Sequence, residues 1–222
     1  MEVSFQNIPE EMKQYPHWLV WRLEDVGREK PNKTPYSVNG GYGKTNDPNT
    51  WGTFEDAVRL YNDGKYNGIG FVFTDTPFVG IDIDAAVDQG TGRANSEAQD
   101  IIEQAGSYTE LSQSKKGFHV IVRGSLPDGR RRKGAFEMYG DGSPRYFAMT
   151  GEVWEDRRDI VENQIAIDQI HKKYIESPKQ EYATPKECAL NLSDSEVVSK
   201  ASNSKHGYEF TELYSGNWRL FC

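Results

Sequence analysis

Two carboxylates, Asp82 and Asp84, interrupt an otherwise apolar, strand-like segment over residues 78–84. Side chains on a strand alternate between its two faces, so both carboxylates point the same way, roughly 7 Å apart. Neighbouring carboxylates repel each other and lose hydration among apolar side chains, which favours a divalent cation between them. The segment therefore predicts a strand with a metal site on one face. A turn with two solvated acids is the plainer interpretation of such a pair.

The composition allows a packed core and excludes several classes of protein. The 222 residues include 5 Trp, 12 Tyr and 10 Phe, enough for one good-sized domain with an appendage. No apolar stretch approaches ~20 residues, so we expect no membrane association. Cys188 and Cys222 are too few for a disulfide framework and lie in no Cys/His cluster. Because the N-terminus also lacks a secretory signal, we expect a cytoplasmic protein without structural zinc.

The basic residues are concentrated in one part of an acidic chain, whose formal net charge is −8. Residues 113–147 carry eight Lys and Arg against three acids, which leaves this segment at +5 and the remainder at −13. Such a segment suits a polyanionic partner, although a solvated loop with an uneven charge count explains it equally well.

The order of the predicted elements indicates the fold class. Strands are expected over residues 17–23, 68–73, 78–84, 118–123, 135–139 and 145–150, and helices over 53–63, 96–105 and 159–175. Short turns suggest hairpins that join 68–73 to 78–84 and 135–139 to 145–150. Because no regular βαβ alternation is present, we expect an α+β fold, with a mixed, largely antiparallel sheet and flanking helices. Residues 1–175 form the main domain, 176–192 a linker, and 193–222 the start of a helical domain that is cut short.

Three further segments supply polar groups that suit phosphate and metal chemistry. A turn that contains Ser114 and Lys116 delivers His119 at the start of a strand, and its hydroxyl, ammonium and backbone N–H groups suit phosphate oxygens. Glu137 adds a third carboxylate for an octahedral Mg²⁺ or Mn²⁺ site. Arg145 places a guanidinium at the start of the next strand. Taken singly, each has a structural explanation: a core histidine, a surface glutamate, or an arginine paired with a nearby acid.

In this order, the Asp-x-Asp strand, the Ser-x-x-Gly-x-His turn, the later Glu137 and the Arg145-Tyr-Phe segment resemble the primase-polymerase (PrimPol) domain of phage and plasmid replication proteins. That domain belongs to the archaeo-eukaryotic primase superfamily. The resemblance covers about residues 5–160. Its flanking matches are Trp18-Leu19-Val20-Trp21, Lys33-Thr34-Pro35-Tyr36, Asn46-Asp47-Pro48 with Trp51, and Gly68-Ile69-Gly70-Phe71. One departure is Lys115, which stands where relatives often have glycine.

The resemblance implies a core related to the RNA-recognition motif and an activity, template-directed nucleotidyl transfer by a DNA primase and polymerase. The substrates are single-stranded DNA and nucleoside triphosphates, a replicative helicase is the expected partner, and the setting is the cytoplasm of a bacterial host. The implied metal ligands, for a site of two Mg²⁺ or Mn²⁺ ions, are Asp82, Asp84 and Glu137. The implied catalytic residues are these three carboxylates and His119. The implied nucleotide-binding residues are Ser114, Lys116, His119, Arg145 and Lys33, and the implied DNA-binding residues are Arg130, Arg131, Arg132 and Lys133.

Two other functions are compatible with the same residues. A metal-dependent nuclease or phosphodiesterase would use these carboxylates with water as the nucleophile. A non-catalytic module that binds single-stranded DNA would keep the acids for structural reasons. Residues 193–218 resemble the helical region that follows PrimPol domains, and no Walker-type Gly-x-x-x-x-Gly-Lys motif follows them.

Overall fold

The computed structural model describes residues 2–25, 27, 31–176 and 193–217. The chain divides into two compact units, one within residues 1–178 and one within residues 179–222. The first unit combines antiparallel sheets with helices, so the α+β class is confirmed. The linker expected at 176–192 lies outside the described residues, apart from its first residue, Glu176.

The described residues of the first unit form four α-helices, three of which begin at a capping polar side chain. They are α1 (Glu10–Lys13), α2 (Phe54–Asn62), α3 (Ser96–Ala105) and α4 (Gln164–Ile170), and α4 continues as a π-helical turn over His171–Ile175. The Thr53 hydroxyl accepts the N–H of Asp56 at the start of α2. Helix α4 begins later than the predicted residue 159, because the Asn163 side chain caps it by accepting the N–H of Ala166.

The strands form two antiparallel sheets. The first sheet has the order β2-β1-β3-β9, with β1 Trp18–Glu24, β2 Asn32–Tyr36, β3 Gly68–Val72 and β9 Tyr146–Met149. The second has the order β5-β6-β4-β8-β7, with β4 Phe78–Ile83, β5 Tyr108–Leu111, β6 Phe118–Arg123, β7 Arg132–Lys133 and β8 Phe136–Tyr139.

Both predicted hairpins are wrong. Strands β3 and β4 lie in different sheets, and so do β8 and β9. Each of β3 and β4 already has a partner on both edges: β3 pairs with β1 and β9, while β4 pairs with β6 and β8. The short connections at residues 73–77 and 140–145 therefore cross from one sheet to the other, although their turn residues look like those of a hairpin.

Three strands were not predicted: β2, β5 and β7, the last of which has only two residues. Strand β2 is polar and contains Pro35, which fits its place at the edge of the first sheet. Strand β5 has only four residues, one of them the acidic Glu110. Each of β2 and β5 pairs with a strand adjacent to it in the chain, and this pairing rather than an apolar pattern of its own accounts for its extended conformation.

The second sheet is covered on both faces. Val79, Ile81 and Ile83 on one face of β4 pack with apolar residues of α3 and α4. On the opposite face, Phe78 packs against Phe71 of the first sheet, with 6.1 Å between the ring centroids. Asp82 shares this second face because side chains alternate along the strand. The alternation thus turns Asp82 toward the cleft between the two sheets.

The second unit contains α5 (Asp194–Ser202) and α6 (Gly207–Tyr214). A capping box begins α5, in which Ser193 and Glu196 exchange side-chain to backbone hydrogen bonds. Among the described residues, none of the helices has the length and apolar character needed to cross a bilayer.

Candidate active site

One transverse row of charged and polar side chains crosses the second sheet. The strand register pairs Glu110 with His119, His119 with Asp82, Asp82 with Glu137, and Glu137 with Arg132. Residues directly opposite each other on neighbouring strands project from the same face. The row therefore brings together two predicted metal ligands and the predicted histidine, which are far apart in the chain.

Asp82 occupies the centre of this row. Its Oδ1 atom lies 4.0 Å from Nε2 of His119, and 22% of its side chain is exposed. Burial raises the pKa of Asp82, and the negative charges of Asp84 and Glu137 raise it further, while His119 and Lys33 act in the opposite direction. This is the electrostatic environment of a carboxylate for which a bound cation would supply the missing positive charge.

Asp84 is the first residue after β4 and is exposed. Its backbone N–H donates to the carbonyl of Ala135 at 2.8 Å, which continues the pairing of β4 with β8 one residue beyond the two strands. The turn that leads into β6 lies against it: a Cβ atom on Gly117 would be 3.3 Å from the Asp84 Cα. The glycine of the predicted Ser-x-x-Gly-x-His turn thus allows that turn to approach the acidic end of β4.

Glu137 uses both carboxylate oxygens in the structure. Oε1 accepts a hydrogen bond from Nε of Arg132 at 3.0 Å, and Oε2 accepts one from the Tyr139 hydroxyl. Burial and the hydrogen bond to Glu137 both raise the pKa of Tyr139, which keeps its hydroxyl protonated as a donor. Arg132, which the sequence analysis assigns to DNA binding, therefore belongs to this transverse row and contacts Glu137 directly.

A cavity of about 410 Å³ opens beside Asp82 between the two sheets. Its lining includes Lys33, Asp82, His119, Tyr139, Arg145 and Tyr146. Loss of hydration lowers the pKa of Lys33, and the negative charges of Asp82 and Asp84 oppose that shift. The Tyr146 hydroxyl on β9 donates to the Lys33 carbonyl on β2 at 2.7 Å, which links the two edge strands of the first sheet at the cavity.

The comparison with known proteins identifies the type of domain. Over 164 residues, 70% of this chain, it is 35% identical to a protein of Nitratiruptor phage NrS-1 named DNA primase-polymerase. This chain contains a primase-polymerase-type domain. The match covers 22% of the phage protein, so the chain spans about a fifth of that relative's length. No family model matches the chain.

Two predicted nucleotide-binding residues of the primase-polymerase domain lie outside the cavity lining. Ser114 and Lys116 are exposed in the turn between β5 and β6. The Ser114 Oγ accepts the backbone N–H of Lys116 at 3.3 Å, and the Lys116 carbonyl accepts the N–H of Ala86 at 2.7 Å. The turn is thereby held next to the segment that follows Asp84, at the end of β4.

The basic segment 130–133 of the primase-polymerase domain is anchored to its surroundings. The Arg131 guanidinium donates to the Pro127 carbonyl, and the Lys133 ammonium donates to the Glu176 carbonyl at 3.4 Å. The last two residues of the segment form β7 at the edge of the second sheet. Of the predicted DNA-binding residues, Arg132 and Lys133 therefore lie on the edge strand next to Glu137, and Arg130 and Arg131 directly precede that strand.

The carboxylates suit a hard divalent cation by their chemistry. Asp82 and Asp84 supply oxygen ligands of the kind that Mg²⁺ and Mn²⁺ prefer. In the described part of the chain, however, no three His, Cys, Asp or Glu side chains converge closely enough to hold an ion as they stand. Glu137 would join such a site by exchanging or sharing its contact with Arg132 or Tyr139.

Glu110 is a site residue that the sequence analysis missed. Its carboxylate is fully buried, and Oε1 lies 2.9 Å from Nδ1 of His119. The His119 ring also stacks on Phe147, with 4.2 Å between centroids and 12° between the planes. The only signal in the sequence was an acid within the short Tyr-Thr-Glu-Leu segment, which does not reveal its partner on β6.

Proposed function

We propose that this primase-polymerase domain catalyses metal-dependent, template-directed nucleotidyl transfer on single-stranded DNA during phage replication. The observation that best supports the proposal is the row that sets Asp82 between His119 and Glu137 beside the cavity. The similarity to the phage protein named DNA primase-polymerase supports it independently. In this reaction a 3′-hydroxyl oxygen attacks the α-phosphorus, the bond to the β-phosphate breaks, and pyrophosphate leaves.

The carboxylates would act as the metal ligands. Asp82 and Asp84, with Glu137, would hold Mg²⁺ or Mn²⁺, and the bound ions would stabilise the attacking and leaving oxygens. The raised pKa of Asp82 supports this role, because burial and the nearby acids make its ionised form costly without a counter-ion. Arg132 supplies a positive charge at Glu137 from the opposite side.

The cationic side chains around the cavity would hold the incoming triphosphate. Lys33, His119 and Arg145 all line the cavity. Ser114 and Lys116 would reach phosphate oxygens from the turn between β5 and β6, which packs against the end of β4. Together these groups would fix the α-phosphate and compensate the charge that develops on the leaving pyrophosphate.

The basic edge would bind the DNA template. Residues 130–133 lie at the edge of the second sheet next to Glu137, so a strand held there would run past the acidic row. Contacts from Lys and Arg to phosphate oxygens position a nucleic acid without reading its sequence. A helicase domain or protein would supply the unwound template.

Primer synthesis and extension on single-stranded DNA with Mg²⁺ or Mn²⁺ test the proposal. We expect the domain to incorporate nucleotides and the double variant Asp82→Ala, Asp84→Ala to lose this activity. The exposed Asp63→Ala serves as the matched control. Intact incorporation in the double variant would reject the site. Cleavage of DNA with metal alone would instead favour a nuclease, and DNA binding without incorporation under any nucleotide mixture would favour a binding module.

A further inference from the structure

We propose that Glu110 is a positioning residue that holds the His119 ring for nucleotide binding, an inference that rests on the proposed function. Glu110 lies on β5, on the side of His119 that faces away from Asp82. Its Oε1 contacts Nδ1 of His119 at 2.9 Å, while Nε2 of the same ring lies 4.0 Å from Asp82. The histidine is therefore held between two carboxylates, one fully buried and one at the cavity.

The Glu110 carboxylate is itself fixed by donors other than the histidine. It accepts hydrogen bonds from the Tyr108 hydroxyl at 2.8 Å, from the Gly151 N–H at 2.8 Å and from the Thr150 N–H at 3.1 Å. Burial and the charge of Glu110 raise the pKa of Tyr108 well above its ordinary value, so its hydroxyl stays a donor. A buried carboxylate that accepts this many hydrogen bonds cannot rotate away from the histidine.

The arrangement determines which nitrogen faces the substrate. Glu110 can only accept at His119, so Nδ1 carries a hydrogen and Nε2 is the atom presented toward Asp82 and the cavity. The stack of the ring on Phe147 removes much of the remaining rotational freedom. Second partners of this kind orient metal-binding histidines, where their removal commonly costs about 10- to 100-fold in metal affinity or activity, and we expect the same physical effect on a histidine that binds phosphate.

A double-mutant cycle on nucleotide affinity tests the coupling. We expect Glu110→Gln to raise the KM for the incoming nucleotide by about tenfold, with a much smaller change in kcat. In the His119→Ala background the same substitution should change KM by less than about twofold, because Glu110 acts through the ring. Equal KM effects in both backgrounds would overturn the proposal. Tyr108→Phe removes another hydrogen bond at the same carboxylate, and we expect it to lower stability with little effect on KM.

A measurement on the unmodified protein keeps the proposal testable if Glu110→Gln fails to fold. The ¹⁵N resonances of imidazole rings report which nitrogen is protonated, and comparison with His119→Asn identifies the signal among the 4 histidines. We expect a protonated Nδ1 on His119, and an unprotonated Nδ1 would overturn the proposal. This readout needs no activity. If His119→Ala leaves incorporation intact, the role proposed for His119 fails on its own, whatever the Nδ1 signal shows.

Discussion

Gly117 packs so closely on Ile83 that a Cβ atom at position 117 would lie 2.2 Å from the Ile83 carbonyl oxygen. This contact joins the turn before β6 to the end of β4, where Asp84 follows the strand. The Ser114-to-His119 turn and the acidic pair can therefore lie side by side only because residue 117 has no side chain.

We expect Gly117→Ala to destabilise the domain by more than about 2 kcal/mol, because the clash involves backbone atoms that cannot move independently. Urea unfolding followed by circular dichroism measures the destabilisation. The matched control is Gly90→Ala, whose new Cβ would meet only a side-chain oxygen of Asp88 at 3.5 Å. We expect the control to change stability by less than about 0.5 kcal/mol. Equal stability of the two variants would show that the turn can rearrange freely.

We expect Asp82 to support activity at a cost in the stability of the metal-free domain. Its pKa is raised in the folded domain, first by burial, so ionisation costs free energy at neutral pH when no cation is bound. We therefore expect Asp82→Asn to abolish nucleotide incorporation and, in the presence of a chelator, to stabilise the domain at pH 7 by about 1 kcal/mol.

The sign of the pH dependence provides the check. A carboxylate whose folded pKa is raised contributes stability below its unfolded pKa and loses that contribution as pH rises through the folded value. The advantage of Asp82→Asn should accordingly be largest at neutral pH and should shrink as acid protonates Asp82. Urea midpoints at several pH values measure it, with the exposed Asp63→Asn as control. A variant less stable than the unmodified domain at pH 7 would contradict the prediction.

Local features of the fold could be predicted from the sequence, but the pairing of the strands could not. The alternation of side chains along a strand correctly predicts that Asp82 lies on the face of β4 opposite Val79, Ile81 and Ile83. The helix caps at Thr53 and Ser193 follow from the residue types at those positions. The hairpins failed because strand pairing depends on which edges are already occupied, which no local pattern records. Glu110 was missed for the same reason: its importance comes from a partner on another strand.

We expect the charge of Arg132 to raise the concentration of Mn²⁺ that the domain needs for activity. Its contact with Oε1 of Glu137 at 3.0 Å places a positive charge where a divalent cation would be attracted. Because 67% of the Arg132 side chain is exposed, the pair contributes at most about 1 kcal/mol. We expect Arg132→Gln to lower the Mn²⁺ concentration for half-maximal activity by up to about fivefold. The control is Arg158→Gln, which removes an exposed ion pair with Asp156. A higher Mn²⁺ requirement in Arg132→Gln would show that Arg132 supports the site.

The basic edge predicts a salt-dependent affinity for single-stranded DNA. We expect the double variant Arg130→Gln, Lys133→Gln to reduce the slope of log affinity against log salt by about 0.7 for each DNA phosphate that is no longer neutralised. The matched control, Arg59→Gln with Arg158→Gln, removes the same charge from ion pairs with Asp56 and Asp156. Fluorescence anisotropy with a labelled oligonucleotide at several salt concentrations measures both slopes. Because interactions with phosphates carry no sequence information, the decrease in affinity should be the same on oligonucleotides of different sequence. A slope equal to that of the control variant would show that Arg130 and Lys133 do not contact DNA phosphates.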